Sequence, residues 1–497
     1  MNFISQAIAK PASNIRQEDI ENYIKKNGIQ ILNLCYIGSD SRLKSVSFPT
    51  TNSLYIGKVL SRGERRASVF LHSEIKVEST RIIPKYQTAF LNPFAKDQKT
   101  LNILCECRNK DGDPLTAAPS TVLDKAIKRF KDKTGFNLTA AGELEYFVLY
   151  PKNKETLKTT FKHYDATAPF TIYEDMRNEI VQILTLLGIP IKYAHSESGK
   201  ILLATNSTNS MNLNAEQHEI EFLPTPIDEA ADDIVIAKWV TCNVAQKYGV
   251  SVTFSPVVEY GKSGNGLHFH LELIKEGKNI VLDENGNLTT EVKRVIGGIL
   301  LLCRSLCAFG NPVPTSYLRL IGKKETPYGI CWGERTRKAV IRIPEVIDNT
   351  SGTIEFRTAD TTAVVHLLLA GLTIAAENGL TDDSSLEVAE KLHSTEEEMK
   401  NKELSLLPQS CREAANKIKK ERDYYEKDGI FPTELIDSII HELKSYEEVL
   451  PQDEDILRHP AENIEHPACP ATAVAMAERE KVKQLIEKYI YYYPFSF

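Results

Sequence analysis

Residues 264–270 of this chain are Gly-Asn-Gly-Leu-His-Phe-His, and this stretch decides the fold that the sequence predicts. His268 and His270 alternate there with the apolar residues Leu267 and Phe269. Successive side chains of a β-strand point to opposite faces, so both imidazoles would project from one face and the apolar groups from the other. The stretch therefore predicts a strand with one packed face and one face that carries ligand chemistry.

Three other short segments show the same alternation with acidic residues. Segment 142–146 is Gly-Glu-Leu-Glu-Tyr, segment 217–222 is Gln-His-Glu-Ile-Glu-Phe, and segment 353–357 is Thr-Ile-Glu-Phe-Arg. Taken alone, a strand that alternates Glu with apolar residues is more often an ordinary strand with one solvated face. Four such strands in one chain instead predict a single sheet whose polar face is an active site.

The bulk composition excludes several classes of protein. Apolar residues make up 42% and charged residues 26% of the chain, as in ordinary globular proteins. The 60 basic and 67 acidic residues give a net charge of −7, without the basic surplus that is typical of nucleic-acid-binding domains. The sequence has no apolar run of roughly 20 residues that could span a bilayer, and its first residues do not form a secretory signal. Nine scattered cysteines do not suggest a disulfide framework. We therefore expect a soluble, cytoplasmic protein.

The order of predicted elements divides the 497 residues into an N-terminal arm and two domains. Residues 1–14 are predicted to form a loose arm, residues 15–112 a small domain with a mixed sheet, and residues 113–497 a larger domain. A turn-rich break over 111–120 separates the two domains. The larger domain is predicted to contain helices together with strands of antiparallel type. The predicted fold class is therefore α+β. Helices are predicted over residues 14–26, 121–134, 409–428, 432–443 and 475–490.

Five carboxylates and one imidazole from the polar strands and their surroundings are candidate metal ligands. They are Glu143, Glu145, Glu197, Glu219, His268 and Glu355. Two bare carboxylates about 4 Å apart repel by about 4 kcal/mol at an effective dielectric constant of about 20. Five of them would therefore not ionise together in one pocket without divalent cations. Oxygen-rich ligands with a single imidazole suit Mg²⁺ or Mn²⁺ better than Zn²⁺, and six ligands suffice for two ions.

The second half of the predicted site is basic. Five arginines fall in a short span of the chain, namely Arg319, Arg335, Arg337, Arg342 and Arg357. Guanidinium groups pair well with phosphate and carboxylate oxygens, although each arginine taken alone more often forms a surface ion pair. Acid-held cations beside clustered arginines predict a site for nucleotide phosphates and an anionic substrate. The sequence contains no glycine-rich loop of the P-loop or dinucleotide-binding type.

These residues, in this order, resemble the glutamine synthetase family over about residues 80–445. The most specific stretch is Asn-Pro-Val-Pro-Thr-Ser-Tyr-Leu-Arg-Leu at 311–320, followed by Glu-Thr-Pro at 325–327 and Ile-Arg-Ile-Pro at 341–344. The length is similar to that of the bacterial dodecameric class. The resemblance implies an N-terminal β-grasp domain and a catalytic domain with a curved antiparallel sheet. It also implies a homo-oligomer, a dodecamer of two stacked hexameric rings, with active sites between adjacent subunits.

The resemblance further implies a division of the metal ligands between two ions. The positions that match ligands of the first metal are Glu145, Glu197 and Glu219. The positions that match ligands of the second metal, which binds the nucleotide phosphates, are Glu143, His268 and Glu355. The cations expected on this basis are Mg²⁺ or Mn²⁺, with ATP as co-substrate.

Other matched positions imply roles in substrate binding and catalysis. His270 and Arg342 match nucleotide-contacting residues, and Arg337 matches a residue that stabilises charge on the phosphate. The positions that match the amino-acid substrate site are Ser263, Gly264, Arg319 and Arg357, with Asn in place of Ser263 in most of the family. Glu325 matches a flap glutamate that closes over the reaction intermediate. The implied reaction joins glutamate to ammonia through a γ-glutamyl phosphate, with Glu325, Arg337 and Arg357 as catalytic residues.

The chain departs from the family pattern at three places besides Ser263. The family carries Asp-Gly-Ser-Ser in its N-terminal domain, where residues 65–70 are Arg-Arg-Ala-Ser-Val-Phe. An arginine would repel ammonium, so two alternatives stay open: a γ-glutamyl ligase for a different amine, and a non-catalytic paralogue that assembles with an active synthetase. Thr353 stands where an arginine is common, and an insertion over about 199–213 lengthens the link between Glu197 and Glu219. The filled metal-ligand positions favour an enzyme over the paralogue, since unused buried carboxylates are costly.

Overall fold

The structure is a computed structural model that describes most of the chain. The described residues are 3–38, 40–70, 75–151, 163–201, 213–321, 325–327, 329–345, 352–401, 403–447 and 473–490.

A six-stranded sheet forms the N-terminal part, with strand order β2-β1-β6-β4-β3 and β5 paired to β6. The pair β1–β6 is parallel, and the other pairs are antiparallel. The sheet is therefore mixed, as predicted for this part of the chain. Its strands are β1 (Ile31–Ile37), β2 (Leu43–Pro49), β3 (Glu64–Phe70), β4 (Lys76–Pro84), β5 (Phe90–Leu91) and β6 (Thr100–Arg108), and its helices are α1 (Phe3–Ile8), α2 (Gln17–Asn27) and α3 (Ser53–Arg62).

A second sheet of ten strands forms the larger part. Seven strands follow the order β14-β15-β16-β12-β7-β9-β8, while β10 and β11 pair with β7, and β13 pairs with β12. All of its pairs are antiparallel except the parallel pair β14–β15. The strands are β7 (Asn137–Pro151), β8 (Ile191–Ile201), β9 (Leu213–Phe222), β10 (Thr225–Pro226), β11 (Ser251–Thr253), β12 (Leu267–Lys275), β13 (Lys278–Asn279), β14 (Gly329–Glu334), β15 (Ala339–Ile343) and β16 (Ile354–Phe356).

Helices cover one side of the ten-stranded sheet and continue to the C-terminal part. The helices are α4 (Pro119–Thr134), α5 (Glu174–Leu186), α6 (Ile227–Lys247), α7 (Thr290–Gly310), α8 (Pro314–Ile321), α9 (Val365–Thr381), α10 (Ser384–Leu392), α11 (Glu396–Asn401), α12 (Cys411–Glu426), α13 (Thr433–Ser445) and α14 (Ala473–Ile490). Helices α7 and α9 pack with their backbones in close approach. A Cβ atom on Gly298 would lie 2.2 Å from the carbonyl oxygen of Ala375, so only glycine fits at this crossing.

The hydrophobic core lies between the apolar face of the large sheet and these helices. Leu144 and Tyr146 of β7, together with Leu267 and Phe269 of β12, are fully buried in one continuous apolar cluster. Residues that alternate with them point to the other face of the sheet. The period-two pattern in the sequence therefore separates a packed face from a polar face, and the polar face carries the candidate site.

Several boundaries differ from the sequence prediction. Residues 3–8, expected within a loose arm, form α1, because Ile4 is fully buried in the core. The helix predicted to begin at residue 14 begins at Gln17, since Pro11 and a short 3₁₀ turn precede it and Arg16 occupies the N-cap position. The predicted domain boundary near residue 112 falls in the turn between β6 and α4, and the division into domains stays a prediction. Within the described parts of the chain, no helix has both the length and the apolar character needed to cross a membrane.

Candidate active site

The polar strands meet in the middle of the ten-stranded sheet. Glu143 on β7 lies opposite His268 on β12 on one side and opposite Glu221 on β9 on the other. Glu145 lies opposite Glu219. Residues directly opposite each other in neighbouring strands share a face of the sheet. The four segments singled out in the sequence therefore do form one sheet with a common polar face.

The same face continues toward the strand that carries Arg342. His270 on β12 lies opposite Glu355 on β16, and Glu355 lies opposite Arg342 on β15. At the other edge, His195 on β8 lies opposite Glu219. Six adjacent strands thus present acidic, imidazole and guanidinium groups on one surface.

These groups line a cavity of about 170 Å³. The predicted site residues on its wall are Glu143, Glu145, Glu197, Glu219, Ser263, Gly264, His268, His270, Arg319, Glu325, Arg337, Arg342 and Arg357. Glu355 is fully buried beside them. Arg335, which the sequence grouped with the other arginines, does not line the cavity. Its side chain is 70% exposed and forms an ion pair with Glu345 at an N–O distance of 2.8 Å.

Glu143 is the centre of the acidic part of the site. Its two carboxylate oxygens lie 2.7 Å from Nδ1 of His268 and 2.7 Å from Nε2 of His270. Ligand atoms come within 4.8 Å of one another in three groups of the described residues. The groups are Glu143 with Glu219 and His268, Glu143 with His270 and Glu355, and His195 with Glu219 and Glu221.

This donor set fits hard divalent cations. Carboxylate oxygens dominate it, and the imidazoles add one nitrogen donor to each group, which suits Mg²⁺ or Mn²⁺. Glu145 and Glu197 line the same cavity but do not belong to the three compact groups found among the described residues. The division into two ligand sets that the resemblance implies therefore stays a prediction.

Burial raises the pKa of two carboxylates in the site, those of Glu145 and Glu219. Burial and the neighbouring charge of Glu197 raise the pKa of Glu145 to about 8. Burial, followed by the charge of Glu143, raises the pKa of Glu219 well above its usual range. The site therefore carries more carboxylates than it can ionise by itself at neutral pH, and a bound cation would compensate their charge.

The pKa values of His268 and His270 are shifted in opposite directions. Burial and the charge of Arg357 lower the pKa of His268 to about 4, so this ring is neutral at pH 7 and can serve as a ligand. Burial would also lower the pKa of His270, but the charge of Glu143 outweighs it and raises that pKa. Burial likewise tends to raise the pKa of Glu143, and the two imidazoles outweigh it and lower that pKa well below the usual range.

Arg357 connects the acidic and basic parts of the site. One of its amino groups bonds Glu355, and the other donates to the carbonyl oxygen of Glu325 at 3.2 Å. Its Nε donates to the carbonyl oxygen of Arg337 at 3.2 Å. Arg342 holds the second oxygen of Glu355 at 3.0 Å. Glu355 is thus neutralised by two guanidinium groups, and Arg357 fixes the backbone of the two loop residues that the sequence marked as catalytic.

Glu325 lies at the mouth of the cavity. Its carboxylate accepts a hydrogen bond from the Ser198 hydroxyl at 2.9 Å and lies 3.8 Å from Arg337. Ser198 in turn lies 3.1 Å from the hydroxyl of Ser263. These contacts join the end of β8, the loop before β12 and the loop before β14. Glu325 therefore contacts two separate segments of the cavity wall at its entrance.

Sequence reasoning missed four residues on this wall, namely Tyr164, Lys192, Tyr193 and Glu221. It also missed His195, whose Nε2 lies 3.1 Å from the carboxylate of Glu219. Glu221 and His195 were within reach of the alternation argument, because each lies two positions from a predicted ligand on the same strand. Lys192 pairs with Glu221 at 2.9 Å. Tyr164 packs its ring 5.8 Å from the guanidinium of Arg337, and nothing in the local pattern indicates that role.

Two expected departures from the family pattern concern the N-terminal sheet and the 199–213 insertion. Arg65 lies on β3 opposite Arg81 on the neighbouring strand β4, and the correspondence of this strand to the acidic loop of the family stays a prediction. The middle of the 199–213 insertion, residues 202–212, lies outside the described residues, as do the aromatic residues at the C-terminus.

Comparisons with known proteins identify the family. Residues 116–455 match the family model described as glutamine synthetase, catalytic domain. The chain is 27% identical over 415 residues to a glutamine synthetase from Clostridium saccharobutylicum, a match that covers 81% of this chain and 89% of that one. It is 31% identical over 350 residues to a glutamine synthetase from Pyrococcus furiosus, with 69% and 74% covered.

A comparison of folds agrees with the sequence match. The chain superposes on the cryo-EM structure of Plasmodium falciparum glutamine synthetase with a TM-score of 0.72 and 21% identity, covering 86% of this chain and 95% of that one. At this identity the likeness concerns the fold alone. The family model, by contrast, matches more than half of the chain and includes the strands and loops of the cavity. The chain therefore belongs to the glutamine synthetase family of ATP-dependent ligases.

Proposed function

We propose that the protein forms glutamine from glutamate and ammonia, with ATP as co-substrate and γ-glutamyl phosphate as the intermediate. One observation carries this proposal: six candidate metal ligands and four arginines converge on a single cavity. That arrangement combines charge compensation for phosphate groups with guanidinium partners for an anionic substrate.

The acidic residues would hold two divalent cations, Mg²⁺ or Mn²⁺. The proposed ligand sets are Glu145, Glu197 and Glu219 for one ion, and Glu143, His268 and Glu355 for the other. When bound, such cations neutralise charge on phosphate oxygens and orient the phosphate chain. The raised pKa values of Glu145 and Glu219 support this role, since both carboxylates need a nearby positive charge to ionise.

The chain's own side chains would bind and orient the two substrates. His270 and Arg342 contact the nucleotide, and glutamate is held by Ser263, Gly264, Arg319 and Arg357. A γ-carboxylate oxygen of glutamate then attacks the γ-phosphorus of ATP. The bond between that phosphorus and the bridging oxygen breaks, and ADP leaves. Arg337 and Arg357 offset the charge that develops on the transferred phosphoryl group.

The second step uses the residue at the mouth of the cavity. Glu325 covers the acyl phosphate against water and accepts a proton from the attacking amine. Nitrogen bonds to the carbonyl carbon of the γ-carboxyl group, the bond from that carbon to the phosphate oxygen breaks, and inorganic phosphate leaves. The hydrogen bond from Ser198 at 2.9 Å and the guanidinium of Arg337 at 3.8 Å hold the Glu325 carboxylate at this position.

The test is a coupled product assay on the purified protein. ATP, Mg²⁺ and glutamate are incubated with and without ammonium, and phosphate release is compared with glutamine formation. The proposal expects ammonium-dependent glutamine in equal amount to phosphate. Phosphate release and γ-glutamyl product with other amines, but none with ammonium, would contradict the proposed acceptor while leaving the ligase chemistry in place. Absence of both products with every amine would contradict the enzyme.

A second acceptor is favoured by one observation, the pair Arg65 and Arg81 on adjacent strands of the N-terminal sheet. If these arginines approach an acceptor site, they repel ammonium and favour a different amine. An Arg65→Asp variant should then use ammonium better than the parent protein does. If the variant uses ammonium as the parent protein does, Arg65 does not influence the choice of the acceptor amine.

The proposed assembly is a homo-oligomer, a dodecamer of two stacked hexameric rings. Membership of the family supports oligomerisation. The native mass of the purified protein tests the number of subunits. The cytoplasmic location expected from the sequence stays a prediction.

A further inference from the structure

Glu197 occupies an unusual position in its strand. Strand β8 is the edge of the ten-stranded sheet and pairs with β9 alone along its length. The register is regular from Tyr193, opposite Glu221, to Ser196, opposite His218, and resumes at Lys200, opposite Glu216. Residues 197–199 therefore face a single residue of β9. Such a bulge redirects side chains and leaves backbone groups without ladder partners.

His163 supplies the partner that the strand lacks at this point. Its Nδ1 lies 2.8 Å from the carbonyl oxygen of Glu197. A carbonyl oxygen only accepts hydrogen bonds, so Nδ1 is the donor. The imidazole is 4% exposed and belongs to the segment before α5. The backbone of Glu197 is thus held from behind the strand while its carboxylate lines the cavity in front.

A buried polar network holds the strand at Ser196, next to the bulge, and lies beside His163. Nε2 of His163 lies 3.8 Å from the carboxylate of Glu216, which also accepts hydrogen bonds from the backbone N–H groups at 172 and 173. Arg177 of α5 donates to the Ser196 hydroxyl and to Nδ1 of His218, each at 2.9 Å. His218 bonds Glu216 through its other nitrogen at 3.2 Å. These side chains are all buried, and the hydrogen bonds among Glu216, His218, Arg177 and Ser196 restrict their movement.

We propose that His163 is a positioning residue for Glu197. Its hydrogen bond replaces the missing strand partner and sets the direction in which the carboxylate enters the cavity, so divalent-cation affinity depends on this contact. The inference rests on the proposed role of Glu197 as a metal ligand. Hydrogen-bond partners behind a metal ligand typically contribute about 10- to 100-fold in affinity.

The test compares two amide variants of His163 in the full-length protein. The amide nitrogen of Asn lies near the position of Nδ1, whereas that of Gln reaches toward the position of Nε2. Mn²⁺ binding is titrated by the loss of the electron paramagnetic resonance signal of free Mn²⁺. We expect His163→Gln to weaken one Mn²⁺ site by about tenfold or more, and His163→Asn to stay within about threefold of the parent.

A double-mutant cycle separates positioning from a general structural effect. If His163 acts through Glu197, then His163→Gln weakens Mn²⁺ binding in the parent but adds nothing to Glu197→Gln. Equal Mn²⁺ affinity of His163→Gln and the parent would overturn the proposal, and so would a loss that adds to that of Glu197→Gln. Should His163→Gln not fold, His163→Phe keeps a planar ring without a donor and is expected to show the same loss.

The cycle also distinguishes this inference from the proposed function. If Glu197→Gln binds Mn²⁺ as the parent does, the ligand role of Glu197 fails and the proposed function loses that residue. If Glu197→Gln is weakened while His163→Gln is not, the ligand role stands and the positioning role fails.

Discussion

Arg337 and Arg335 are two residues apart in the turn between β14 and β15, yet they face different surroundings. Arg337 lines the cavity beside Glu325, whereas Arg335 is exposed and pairs with Glu345. Only the position in the folded chain distinguishes them, because both are arginines in the same short turn. The pair therefore offers a matched test of what the cavity adds to a guanidinium group.

We expect Arg337→Ala to lower kcat by roughly 100- to 1000-fold, the usual cost of removing one group that stabilises transition-state charge. Arg335→Ala should leave kcat within about twofold, since surface ion pairs contribute little. Steady-state kinetics of phosphate release with saturating ATP and glutamate measures both. Equal effects of the two substitutions would remove Arg337 from the catalytic site.

Glu219 tests the acidic half of the cavity. It lies opposite Glu145 and belongs to two of the three compact ligand groups. Glu219→Ala should reduce turnover to background and remove one class of bound Mn²⁺, measured by product formation and by Mn²⁺ titration. The exposed carboxylate of Glu284, in a surface turn, serves as the control, and Glu284→Ala should behave as the parent. A Glu219→Ala variant with parental turnover would contradict the ligand role.

At the scale of single elements, Glu216 attaches the start of α5 to strand β9. Its carboxylate accepts from the Thr171 hydroxyl at 3.0 Å and from the backbone N–H of Tyr173 at 2.9 Å. Burial acts to raise its pKa, but the hydrogen bond from His218 and those from the backbone outweigh burial and lower the pKa to about 2. The ionised carboxylate therefore stabilises the folded state.

The pH dependence of this stabilisation follows from the sign of the shift. A carboxylate whose pKa is lowered on folding contributes fully above its unfolded pKa, and the contribution is lost as the pH falls through the folded value. Because folding lowers the pKa of Glu216 to about 2, Glu216→Gln should lower the free energy of unfolding at pH 7 by about 3 kcal/mol. The gap between parent and variant should begin to close below about pH 4.5. Urea unfolding at several pH values measures it, and a gap that stays constant from pH 7 to pH 3 would contradict the account.

The elements also show how far the sequence could lead. Strands β7, β9 and β12 were predictable because their side chains alternate between a buried and a polar face over their central residues. The ends of elements and the short elements were harder to predict. Helix α1 is an example, because Ile4 is buried although its short segment shows no clear helical period. The parallel pairing of β14 with β15 could not be predicted from the alternation of side chains, since the side-chain period is the same in parallel and antiparallel strands.

At the scale of the whole molecule, the candidate site combines two kinds of information. The acidic groups lie on strands, so the sequence pattern placed Glu143, Glu145 and Glu219 on one face. Tyr164 reaches the cavity from the segment before α5, and the periodicity of the polar strands carries no information about such an approach. For loop residues such as Glu325 and Arg337, the resemblance to the glutamine synthetase family gave the expectation, and the contacts of Arg357 explain how they are held.

The central claim is that the γ-carboxylate of glutamate attacks ATP inside this cavity. Glutamate labelled with ¹⁸O in its γ-carboxylate tests it, whichever amine is the acceptor. The protein is incubated with labelled glutamate, ATP, Mg²⁺ and the amine that stimulates turnover, and the released phosphate is examined by mass spectrometry. The account predicts one ¹⁸O atom in each phosphate, transferred from the carboxylate; phosphate released without label would contradict it.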